Sequence, residues 1–199
     1  MARKLSAPVE SSLKEFVERQ LSASEIDAHT LDHTVRVYRL AMQIGREVGA
    51  DLRVLGAAAI LHDVGRAREA REGISHAILS GEMSIDILKS LGFSESEIRG
   101  IVDAIRTHRF SEGLEPNSLE GRILSDADKI DAMGAIGVFR AVAQATRDGR
   151  GIQGFIRHAE EKLLRLRDLI YTDEARQIAN EKHETLERFV EELRSEVDS

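Results

Sequence analysis

The segment spanning residues 51–61, DLRVLGAAAIL, restricts the possible folds more than any other part of this chain. Read as a helix, it is apolar on almost every side, and such a helix is buried at the centre of a domain rather than laid along its surface. Other helices must therefore surround it. At its inner end the chain places two strongly polar residues side by side, His62 and Asp63, followed by Gly65, where the chain can turn. A buried, unpaired charge is costly, so this doublet needs a partner.

The rest of the chain supplies the surrounding helices. Val9, Leu13, Phe16, Val17 and Leu21 recur at helical spacing, and Leu31, Val35, Tyr38 and Met42 begin a second stripe that continues to Val48. Residues 78–91 form a further helix stopped by Gly92. Ser94 and Glu97 are spaced as a capping box ahead of Ile98, Ile101, Val102 and Ile105. Asn117 is placed to cap a helix carrying Leu119, Ile123, Leu124 and Ile130. Residues 135–145, 155–170 and 172–197 complete the set. The connections fall at residues 64–75, 109–116 and 146–154. No stretch alternates with a period of two, and with 6 Phe, 2 Tyr and no Trp the chain is poor in strand-forming aromatics. These features predict an all-α fold. With 2 prolines in 199 residues and no linker, a single domain over residues 1–199 is expected.

Three other segments place polar residues on inward faces. His33, in LDHTVRV, lies one turn from Val37. Asp128, in LSDADKID, lies between Leu124 and Ala132. His108 continues the Ile98–Ile101–Ile105 face. A single histidine on an apolar face is most often a core histidine with its hydrogen bonds satisfied, and an isolated His-Asp pair says little. Two histidines and two aspartates on the inner faces of separate helices carry more weight, because imidazole nitrogens and carboxylate oxygens are the ligands that a divalent cation accepts. A shared cation gives all four a common reason to be buried.

The stretches DHTVRVYRLA, AAAILHDVGR, IRTHRF and LSDADKIDAMGAIG resemble a bacterial and archaeal branch of the HD-domain metal phosphohydrolases. The resemblance implies a helical bundle with its metal-binding core at about residues 21–145 and C-terminal helices, residues 155–197, packed on it. It implies that His33, His62, Asp63 and Asp128 hold a divalent metal. Mn²⁺ is the first expectation, with iron, zinc, cobalt, nickel or magnesium as alternatives. It implies hydrolysis of a phosphate ester or anhydride, with a small nucleotide as the expected substrate. Asp63 would bind metal and orient or deprotonate water, and Arg66 and Lys129 would balance phosphoryl charge. His76 and His108 suit either a second metal or contacts to phosphate. Their plainer readings are a helix cap for His76 and an exposed helix end for His108.

Arg106, Arg109 and Lys129 also read as solvated surface charges, and Arg66 can be read in the same way. Asp131 shares a face with Asp128 and reads as a partner for either a histidine or an arginine, whereas Asp126 reads as a structural acceptor. Gly149, Gly151 and Gly154 spell GxGxxG, but that fingerprint needs a preceding strand, and the preceding GVFRAVAQATRD is helical. With no cysteine, thiolate metal sites and thiol nucleophiles are excluded. The net charge of −7 argues against a nucleic-acid polymer as partner. No apolar run approaches a membrane span, and the N-terminus lacks the apolar core of a signal peptide, so a cytoplasmic location is expected. A homodimer through the terminal helices stays open. The competing function is a regulatory module that binds metal and nucleotide without turnover; metal uptake without hydrolysis would distinguish it.

Overall fold

The computed structural model describes residues 4–21, 31–109 and 113–199. Those residues contain no strand, in line with the expected all-α class. The chain divides into two compact units, Met1–Ala127 and Asp128–Ser199, and the division falls inside a helix.

In the first unit, α1 (Ala7–Leu21), α2 (Leu31–Val48), α3 (Leu52–Leu61), α4 (Arg66–Glu72), α5 (His76–Ser90) and α6 (Glu95–Thr107) precede α7 (Leu119–Asp131), which crosses the division. Helix α3 is central, as its sequence requires. Leu55, Ala57, Ala58, Ala59, Ile60 and Leu61 are fully buried, and α1, α2, α5 and α6 all pack against it. Asp51 caps its start, accepting from the backbone N–H groups of Arg53 and Val54. The Ser94–Glu97 capping box forms as its spacing predicts.

The second unit holds α8 (Gly134–Arg147), α9 (Gly151–Glu161), a 3₁₀ segment (Leu163–Leu169) and α10 (Asp173–Asp198). Helix α10 turns Ala175, Ala179, His183, Leu186 and Val190 inward. Phe155 meets Phe189 edge to face, with ring centres 5.8 Å apart.

Four local expectations are corrected. Residues 64–75 are not all loop, since Arg66–Glu72 is helical. That helix is built from RAREARE and has no apolar stripe, so periodicity does not reveal it. The connection expected at residues 146–154 shrinks to three residues, because α8 runs to Arg147 and α9 begins at Gly151. Gly149 and Gly151, at φ 67° and 59°, make this short turn, and their left-handed backbone is what the glycines provide. Residues 155–170 are not one helix: α9 ends at Glu161 and a 3₁₀ segment follows, in which Leu163, Leu166 and Leu169 recur every three residues, matching its period. Finally, Ser118 rather than Asn117 caps α7, its hydroxyl accepting from the Gly121 N–H at 3.0 Å. Among the described residues no helix is long and apolar enough to cross a membrane.

Candidate metal centre

The polar end of α3 is where the elements of the first unit converge. His62 ends α3, and Asp63 begins the turn into α4. That turn is held down by the Gly65 N–H, which donates to Ser80 Oγ of α5 at 2.9 Å. Gly65 has φ −83° and ψ −4°, so the turn does not need a glycine for its backbone angles. Close approach requires it instead: a Cβ here would lie 2.7 Å from Ser80 N and 2.9 Å from His76 O.

Four imidazoles direct their Nε2 atoms at the Asp63 carboxylate. His33 of α2 and His62 lie 3.6 and 3.8 Å from Oδ2. His76, the first residue of α5, and His108, just past α6, lie 3.2 and 3.9 Å from Oδ1. The Nε2 atoms of His33 and His62 are 3.2 Å apart. All five residues are 2% exposed or less, which excludes an exposed helix end for His108. His76 is not the cap of α5 either, because Ser75 fills that position.

Backbone carbonyls orient two of these rings. His62 Nδ1 lies 2.8 Å from Ala59 O, and His108 Nδ1 lies 2.5 Å from Ile105 O. Each Nδ1 donates, leaving the Nε2 lone pair directed into the cluster. The His108 carbonyl in turn accepts from Ser125 Oγ at 2.9 Å.

His76 is held differently. Its Nδ1 is 3.1 Å from both carboxylate oxygens of Glu69, and Glu69 Oε1 also accepts from the His76 backbone N–H at 3.2 Å. His76 Nε2 has no hydrogen-bond partner although Asp63 Oδ1 is close. With Nδ1 donating to Glu69, a neutral ring turns a lone pair toward a carboxylate oxygen, two acceptors face to face. A cation between them resolves that conflict. Burial favours the neutral ring, pushing the His76 imidazole down to about 4 with help from Arg66 and His108 and against the pull of Asp63. Burial tends to raise the Glu69 carboxyl, but its hydrogen bonds to His76 and the nearby Arg109 charge outweigh that and hold it at about 2.

Arg66 joins the cluster through Asp63, with Nε 3.1 Å from Oδ1, and reaches Glu69 Oε2 at 3.3 Å. Arg109, which reads as a surface charge in the sequence, donates to Glu69 Oε1 at 2.6 Å. Arg106 lies outside the cluster, its closest acidic neighbour being Glu82 at 3.9 Å. His62, Asp63 and His108 place one donor atom each within 4.8 Å of one another, a set that could hold a metal ion.

Asp128 is partly exposed in the last turn of α7 and opens the second unit. Lys129 is buried, and its ammonium lies over the Tyr171 ring, 4.6 Å from the centre, so it is not a solvated surface charge. Asp131 pairs with Arg140 Nη1 at 2.7 Å, the arginine partner its position suggests. Asp126 is fully buried, as a structural acceptor would be.

Glu69 is the residue that the sequence does not reveal. It lies in the unpatterned segment after Asp63, and only a helical reading of RAREARE would have placed it one turn from Arg66.

Residues 30–133 match the HD domain family model. The protein YpgQ of Bacillus subtilis is 32% identical over 187 residues, which cover 90% of this chain and 89% of that protein. The crystal structure of YpgQ in complex with ADP superposes with a TM-score of 0.77 at 28% identity, covering 94% of this chain and 97% of that one. A predicted HD superfamily hydrolase from an uncultured Thermotogales bacterium gives a TM-score of 0.73 at 28% identity, covering 94% and 91% of the two chains. Ribonuclease Y of Cutibacterium acnes is 35% identical over 103 residues, which are 51% of this chain and 17% of that protein.

Proposed function

The chain belongs to the HD-domain family, and from that premise we propose that it is a metal-dependent phosphohydrolase acting on a nucleotide. The observation that carries this reading is the buried set of four histidine Nε2 atoms around Asp63, with His76 Nε2 lacking a hydrogen-bond partner. His33, His62, Asp63 and Asp128 are the assigned ligands, and Mn²⁺ is the first choice of metal. A divalent cation at such a site polarises a phosphoryl oxygen and makes a bound water acidic enough to lose a proton near neutral pH.

The residues then divide the work. Asp63 orients the attacking water and accepts its proton as the water oxygen bonds to phosphorus and the phosphorus–oxygen bond to the leaving group breaks. Arg66, 3.1 Å from Asp63 and partly open to solvent, offsets negative charge on the phosphoryl group. Of the two roles open to His76 and His108, ligation of a second cation beside Asp63 suits them better than contact with phosphate. Each carries its proton on Nδ1, and an unprotonated Nε2 cannot donate to a phosphate oxygen. Lys129 adds positive charge. The choice of a nucleotide is supported by the similar YpgQ having been crystallised with ADP.

The test is hydrolysis of nucleoside mono-, di- and triphosphates by metal-stripped protein supplied with Mn²⁺, with products resolved by chromatography. Turnover that disappears in Asp63→Ala is the expected result, and the released product names the bond cleaved. Mn²⁺ uptake with no turnover on any phosphate would replace this reading with that of a binding module.

A further inference from the structure

Glu69 makes contacts that neither a surface carboxylate nor a simple helix-stabilising pair requires. It lies in α4, one turn from Arg66, yet it reaches His76 at the start of α5 through both the ring and the backbone N–H. Arg109, from just past α6, approaches the same point, with Nη1 2.6 Å from Glu69 Oε1 and 3.4 Å from His76 Nδ1. Two groups therefore compete for His76 Nδ1. A carboxylate can only accept, which requires a proton on Nδ1. A guanidinium can only donate, which requires Nδ1 to be bare and moves the ring proton to Nε2. The carboxylate is closer, at 3.1 Å from both oxygens, and it occupies Arg109 at the same time.

We infer that Glu69 is a positioning residue that fixes the tautomer of His76. It holds the proton on Nδ1, and it restrains Arg109 from donating to that nitrogen. His76 Nε2 is thereby kept as a bare lone pair facing Asp63. Without Glu69, Arg109 becomes the donor to Nδ1, the proton moves to Nε2, and Nε2 donates to Asp63 Oδ1 3.2 Å away. The ring then occupies the Asp63 oxygen instead of presenting a ligand atom. This geometry stands without a metal, and its effect on metal binding rests on the function proposed above.

The direct test is ¹⁵N NMR of the histidine rings in metal-free protein. The wild type should show His76 as the Nδ1–H tautomer and Glu69→Leu should show it as Nε2–H, with the His183 signals unchanged as a control for folding. An Nδ1–H ring in Glu69→Leu, or a ring protonated on both nitrogens in the wild type, would overturn the inference. Should that variant not fold, Mn²⁺ affinity carries the test. Glu69→Gln should weaken binding roughly 10-fold but have no further effect in a His76→Ala background. An equal loss with and without His76 would overturn it. A wild type that binds no Mn²⁺ would remove the proposed hydrolase, while the tautomer would still decide the role of Glu69.

Discussion

His76 and His183 are both buried, and each leaves one ring nitrogen without a hydrogen-bond partner. Their surroundings differ completely. His76 stands between Asp63, Glu69, Arg109 and His108, which come from the turn after α3, from α4 and from the end of α6. His183 sits on the apolar stripe of α10 between Ala179 and Leu186, with Glu187 of the same helix at 3.7 Å. Among the described residues no candidate metal cluster includes His183. A bare buried nitrogen costs stability in either place. At His76 several elements bring polar groups to the same point, and a cation there would satisfy the facing His76 Nε2, His108 Nε2 and Asp63 oxygens together. At His183 nothing comparable converges among the described residues, and the nitrogen is a local cost of filling a core position with imidazole. Convergence from separate elements therefore separates a site from an isolated buried histidine.

Four substitutions test this contrast. Asp63→Ala removes the group on which the four rings converge, and hydrolysis should fall by roughly 1000-fold while the helical circular-dichroism signal is kept. Gly65→Ala forces a Cβ against the α5 backbone that carries His76. It should cost about 1–3 kcal/mol in urea unfolding and also weaken Mn²⁺ binding, coupling the turn to the cluster. His76→Leu should weaken Mn²⁺ binding roughly 10- to 100-fold. His183→Leu should change stability by no more than about 1 kcal/mol and leave Mn²⁺ binding unchanged, because an apolar side chain of similar size replaces a half-satisfied one. Equal effects of His76→Leu and His183→Leu on metal binding would dissolve the contrast.

Much of this arrangement is legible in the sequence wherever burial is periodic. Helix α3 is central because it has no polar face. His33 and His108 face inward because they extend apolar stripes, and the doublet is conspicuous because it ends an apolar run. Legibility fails where contacts are polar and the segment is short. Helix α4 has no stripe, so Glu69 and its links to His76 and Arg109 have no signature along the chain. The role of Gly65 is equally hidden, since a residue needed for close approach looks like one needed for a turn. Lys129 reads as a solvated charge until Tyr171, 42 residues further on, is found beneath it.

The most direct measurement is calorimetric titration of the metal-stripped protein with Mn²⁺, with Asp63→Ala and His183→Leu run alongside. Saturable binding is expected, abolished in Asp63→Ala and left intact in His183→Leu. No binding by the wild type, or the same binding in Asp63→Ala, would contradict the proposed metal centre.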